Sequence, residues 1–177
     1  TFFGIDLPAD ALSPGEPGFQ KVTSRPGERA GVLTHPYLMA GFSYTSTSSP
    51  IHRGVFLARS VLGRTLRPPP EAVAPLAPDL HATLTTRERV ILQTKPESCQ
   101  SCHSLINPLG FSLEQYDAVG RFRTKENGKP IDATGEYKTD DGNKIVFKGA
   151  RDLAEYAAAD ADVLPVEAQM TALEPSS

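Results

Sequence analysis

Two cysteines and a histidine fall within five consecutive residues of this 177-residue chain: Cys99-Gln100-Ser101-Cys102-His103. They are the chain's only two cysteines and one of its four histidines. Two thiols three apart on one helical turn can add to the two vinyl groups of a haem. The imidazole beside the second thiol then stands under the iron as its proximal ligand. Three other chemistries use a similar pair. A thioredoxin-type redox disulfide sits between a strand and a helix, whereas Thr85 to Thr94 reads as a helix. A zinc site would have to be Cys₂His₂, drawing on His35, His52 or His81, and their spacing resembles no zinc finger. A structural disulfide across so short a loop is strained and removes little chain entropy. The spacing therefore predicts one covalently held haem c.

The segments around the motif must present it. Thr85-Thr86-Arg87-Glu88 is a capping box that opens a helix over Val90, Ile91 and Leu92, and Pro96 ends or restarts that helix just before Cys99. Ser49-Pro50 reads as an N-cap followed by proline at the first helical position. Ile51, Val55, Ala58 and Leu62 recur at helical spacing until Gly63. After the motif, a short helix is expected through Leu113, Tyr116 and Val119, stopped by Gly120. Asn127-Gly128 and Asp141-Gly142 are turn signals, and a small β-hairpin is expected within about 121–148. Arg151 to Ala159 reads as helical. Residues 1–30 read as an irregular arm, Arg67 to Pro78 as a stiff proline-rich connector, and 161–177 as a tail. Residues 31–160 are expected to form one haem domain.

Composition limits the rest. There are 16 prolines, 14 glycines, no tryptophan and 7% aromatics, a poor inventory for a packed core. A haem would fill part of that deficit with its own apolar surface. No apolar run approaches the roughly 20 residues a spanning helix needs. A net charge of -3 and a pI near 5.8 argue against a nucleic-acid binder. The chain shows no initiator methionine and no signal peptide pattern. The expectation is a fragment of a longer exported polypeptide, periplasmic or extracellular in a bacterium, because haem c is attached outside the cytoplasm.

Several segments occur in a familiar order: Gly31-Val32-Leu33-Thr34, Ser49-Pro50-Ile51-His52-Arg53-Gly54, Pro68-Pro69-Pro70, Arg87-Glu88-Arg89 and Cys99-x-x-Cys102-His103. Asn107-Pro108-Leu109-Gly110-Phe111-x-Leu113-Glu114-x-x-Asp117-x-x-Gly120-Arg121-x-Arg123 and Ile131-Asp132-Ala133 follow. Together they resemble the planctomycete-type cytochrome c module found at the C-terminal end of large secreted bacterial proteins. The resemblance spans roughly residues 29 to 160. It departs at Gln93, where members often carry histidine, at Asn107, where many carry aspartate, and from Leu164 onward. It implies a mainly α, cytochrome c-like fold with a small hairpin and long Pro/Gly-rich loops. The wider resemblance to cytochromes c implies that the Pro108 carbonyl accepts from the proximal imidazole.

The second axial ligand is open among His52, ranked first, Met39, Met170, His35 and His81. Methionine would raise the reduction potential and histidine would lower it. Haem propionates need cationic donors when partly buried. Arg53, Arg87, Arg89, Arg121 and Arg123 are the candidates and at least one is expected there; Arg53 and Arg121 lie in the signature segments, while Arg87 and Arg89 read better as solvated charges. The favoured function is a mono-haem electron-transfer module working with a redox partner protein or a fused domain. The alternative is a peroxidase- or oxygenase-like haem subunit with an open distal face.

Overall fold

The computed structural model describes residues 23–66 and 82–159. The expectations for the arm up to residue 22, the proline-rich connector from residue 67 with His81, and the tail with Met170 lie outside these residues.

A 3₁₀ turn, Gly31–Thr34, leads into α1, Pro36–Gly41. Helix α2, Pro50–Phe56, starts as the Ser49-Pro50 pair predicts, with the Ser49 hydroxyl accepting from the His52 amide. It continues through a π turn, Leu57–Val61, and Gly63 leaves it in the left-handed region at φ +64°. Helix α3, Thr86–Gln93, carries the complete capping box: Thr85 accepts from the Glu88 amide and Glu88 accepts from the Thr85 amide. Helix α4, Glu97–Phe111, begins after Pro96.

The C-terminal part is more β than the mainly α expectation. Two separate antiparallel hairpins replace the single one: β1, Lys125–Glu126, with β2, Lys129–Pro130, and β3, Gly135–Lys138, with β4, Lys144–Phe147. The first turns at Asn127 and Gly128, both at positive φ, a geometry that asparagine and glycine tolerate. Helix α5, Ala150–Ala159, closes the described chain. The fold is therefore mixed, with helices predominating. No described helix is long and apolar enough to cross a membrane.

Met39, Leu57, Leu109, Leu113, Tyr137, Phe147 and Leu153 form the centre of the core. Helices α2 and α4 lie so close that each offers the other a glycine. A Cβ on Gly54 would strike the Ile106 carbonyl, and one on Gly110 would strike the Pro50 carbonyl. Gly135 of β3 meets the Pro108 carbonyl in the same way, seating the second hairpin on α4.

The short helix expected through Leu113 and Val119 does not form. The chain leaves α4 through hydrogen-bonded turns, and Arg53 of α2 takes the carbonyls that such a helix would have used. Its Nη1 donates to Leu113 O at 3.0 Å and Tyr116 O at 2.6 Å, and its Nη2 to Asp117 O at 2.7 Å. Asp117 then caps the amides of Val119 and Arg121.

Candidate functional site

At 3.6 residues per turn, Cys99, Cys102 and His103 share a sector of about 100° on the first turns of α4. Ile106 and Gly110 continue that stripe. It is fully buried where α2 crosses at Ile106 and Gly110, and only half-buried at the two cysteines and His103. Both thiols are free, so the disulfide reading has no counterpart here. Among the described residues no group of three or more His, Cys, Asp or Glu side chains is placed to hold a metal ion by itself. The Cys₂His₂ zinc set is therefore not assembled among them.

His103 is oriented by a side chain, not by the carbonyl expected. Its Nδ1 lies 2.9 Å from Asn107 Oδ1, one helical turn on. Asn107 Nδ2 donates to Thr94 Oγ1 at 2.9 Å, and the Thr94 hydroxyl donates to Val90 O at 2.8 Å. The chain of donors has one direction. Thr94 spends its proton on a carbonyl, so it must accept from the Asn107 amide. Asn107 Oδ1 is then left to accept from His103. The proton of the neutral ring therefore sits on Nδ1, and Nε2 presents a bare lone pair. Pro108 lies inside α4, its carbonyl packed against Gly135. The i, i+4 spacing of His103 and Asn107 is the sequence signal for this acceptor, and it becomes legible once α4 is known to run through Pro108.

A cavity of about 250 Å³ opens beside His103, lined also by Arg87, Ile91, Asn107, Pro108 and Phe111. It is smaller than pockets that enclose drug-sized ligands, about 300–1,000 Å³. Ile91, one of its lining residues, is 48% exposed. The donor set fits a haem c in two respects, two free thiols and a bare Nε2 on the same helical sector, whereas the cavity opens toward α3 and β3 and is lined by neither cysteine.

The other expected residues are placed elsewhere. His52 stands on the side of α2 opposite Pro50 and Gly54, the residues that meet α4. It packs on Tyr44 at 5.1 Å and lines a separate cleft with Phe42 and Phe56. Met39 is fully buried, with its carbonyl accepting from Arg53. His35 caps α1, accepting from the Tyr37 amide. None of these three is brought beside His103. Arg53 is fully buried among carbonyls and next to Glu114, so it is a framework cation, not a propionate partner. Arg121 is exposed and pairs with Asp117 at 2.8 Å.

The sequence model of the PSCyt3 family, a planctomycete cytochrome-type domain family described as proteins of unknown function (DUF1588), matches residues 29–126, more than half of the chain. The chain belongs to the PSCyt3 family. The PSCyt3 match takes in α1 to α4 and the first strand of the first hairpin, and so includes Cys99, Cys102, His103, Asn107 and Arg53. The second hairpin, whose Gly135 seats on α4, lies beyond the PSCyt3 match. No curated protein and no solved structure matches the chain.

Proposed function

We propose that this chain is a mono-haem c-type cytochrome module that passes single electrons to and from a partner protein or a fused domain. The observation that carries the reading is the presentation of Cys99, Cys102 and a His103 whose Nδ1 is held by Asn107. Each thiol would add its S–H across one vinyl group to give a thioether, with no oxidant consumed. Bound there, haem supplies a one-electron iron couple. The chain's own residues do the remainder: His103 would offer Nε2 to the iron, and Asn107 and Thr94 fix its ring. Attachment of this kind belongs to a periplasmic or extracellular setting.

The test is intact mass after production in a host that exports the chain and attaches haem c. The expected product is the 19.0 kDa chain plus one haem, with a haem c absorption spectrum. Replacing Cys99 and Cys102 together by alanine should return the bare mass. A wild-type product at the bare mass would overturn the reading.

Asn107→Asp gives a second expected result. An anionic acceptor on Nδ1–H makes the imidazole a stronger donor and favours ferric iron. The midpoint potential of the variant should therefore fall below that of the wild type. An unchanged potential would mean that the Asn107 contact does not reach the metal.

One observation favours the alternative of a haem subunit with an open distal face: Met39, His52 and His35 all lie away from His103. His81 and Met170, outside the described residues, are the histidine and methionine left as distal ligands within the chain. A low-spin spectrum indifferent to cyanide and peroxide supports electron transfer. Rapid ligand binding with turnover supports the open site.

A further inference from the structure

We propose that Gln100, one of the two residues between the cysteines, is a positioning residue: its side chain ties the thiol-bearing turn of α4 to Thr94, the same residue that sets the imidazole through Asn107. The purpose of the tie rests on the haem reading above; the contacts themselves do not.

The first turns of α4 have little else to hold them. Every residue from Glu97 to Leu105 is exposed or half-buried, and burial begins at Ile106, where α2 crosses. Pro96 gives the helix no side-chain cap. A helix end without cap or packing frays. The Cys99 and Gln100 amides turn back on the Pro96 carbonyl, and Ser101 bonds within α4, to Ser98 O and Cys102 Sγ. Among the described residues, the side-chain hydrogen bond that leaves residues 97–105 for another part of the chain is that of Gln100, whose Nε2 donates to Thr94 O.

Thr94, the C-cap of α3, is a firm anchor. It is 3% exposed, and its amide and hydroxyl both donate to Val90 O, at 2.9 and 2.8 Å. Helix α3 is in turn fastened to the first hairpin: the Thr86 amide and hydroxyl donate to Glu126, and Lys129 donates to Glu88. Thr94 thus serves the motif twice, through separate atoms. Its carbonyl accepts from Gln100 and holds the turn that carries Cys99 and Cys102. Its Oγ1 accepts from Asn107, which leaves Asn107 Oδ1 for His103. Gln100 fills this place as a donor, which a carboxylate of the same shape cannot be.

The experiment uses the full chain without haem. Helix-dipole effects alone would make Gln100→Glu protect the start of α4 and Gln100→Lys expose it. The bond to Thr94 O predicts the opposite order. In Gln100→Glu, amide exchange at Ser101, Cys102 and His103 should quicken about fivefold, the loss of one ordinary hydrogen bond, with Ile106 to Phe111 unchanged. Gln100→Lys keeps a donor and should exchange near the wild-type rate. The His103 proton, read from ring nitrogen shifts of the neutral form, should stay on Nδ1 in both. Thr94→Val should do the converse: its carbonyl still holds Gln100, while Asn107 is free to turn over and the proton spreads to Nε2. Unchanged or slower exchange in Gln100→Glu would overturn the proposal, and this surface variant decides it even if Thr94→Val does not fold. A Thr94→Val ring with the wild-type tautomer would overturn the double use of Thr94. A wild type that carries no haem after export would overturn the haem reading alone, since the measurements on the unloaded chain stand without it.

Discussion

Gly110→Ala is expected to destabilise the chain by about 3 kcal/mol, because the added methyl group would occupy the space held by the Pro50 carbonyl of α2. The obstruction is backbone at the N-terminus of α2, pinned by the Ser49 cap, so it cannot turn aside as a flexible side chain would. Relief requires α2 and α4 to separate, which also opens the contact between Gly54 and the Ile106 carbonyl one turn away. Gly41→Ala is the control: that glycine ends α1 with nothing within 4 Å of the place a Cβ would take, and its replacement should be near neutral. Chemical denaturation of the two variants checks the pair. A Gly110→Ala protein as stable as Gly41→Ala would mean that α2 and α4 are not packed backbone to backbone. The consequence for function is direct, since α4 carries Cys99, Cys102 and His103 and α2 fixes its inner face.

Arg53→Met is expected to cost about 4 kcal/mol near neutral pH, and the cost should grow with pH. The guanidinium donates to the carbonyls of Leu113, Tyr116, Asp117 and Met39 and to the Ser43 hydroxyl, and methionine replaces none of these bonds. It also faces Glu114, whose carboxyl is buried and bonded to Ser48 and Arg123. Glu114 Oε1 and Arg53 Nε have no hydrogen-bond partner among the described residues. Burial pushes the Glu114 carboxyl up to about 7 against the pull of Arg53 and Arg123, and burial brings Arg53 down to about 10.

The sign of the pH effect follows from linkage. A carboxyl whose folded pKa exceeds its unfolded value contributes stability below the unfolded value, near 4.5, and loses it as pH rises through about 7. Without Arg53 the folded value climbs further, so the loss at pH 8 is larger than at pH 5. Denaturant titrations at both pH values should show the deficit of Arg53→Met widening. Adding Glu114→Gln should recover part of it, since removing both buried charges is milder than removing one. A deficit below about 1 kcal/mol, or one that is flat with pH, would show that the Arg53–Glu114 pair does not hold the turn after α4.

What a sequence reveals divides by the range of the interaction. The caps at Ser49 and Thr85, the stop at Gly63 and the turn at Asn127-Gly128 depend on neighbours within a few residues, and each forms as its local pattern predicts. The same holds for the motif itself: once Cys99 to His103 are helical, geometry alone puts the two thiols and the imidazole on one sector. The single expected hairpin is two because each turn signal is satisfied separately.

The departures are of a different kind. Asn107-Pro108 resembles a turn, yet α4 continues through it. Proline in a helix interior costs about 3 kcal/mol by propensity, and packing of α4 against α2 and β3 outweighs that preference here. Continuation of the helix is what brings Asn107 under His103 and sends the Pro108 carbonyl to Gly135. Sequence alone points to Arg53 for a propionate and leaves Arg87 in solvent, because an arginine in sequence carries only a charge. Whether that charge meets carbonyls 60 residues away, as Arg53 does at Leu113, or an open cavity, as Arg87 does, is set when distant segments pack. The sequence by itself determined which residues present two thiols and an imidazole and on what spacing. Only the tertiary structure decided that α4 runs on to bring Asn107 under the imidazole and that Arg53 is sealed among distant carbonyls, because both depend on how separate elements pack and no local pattern encodes that.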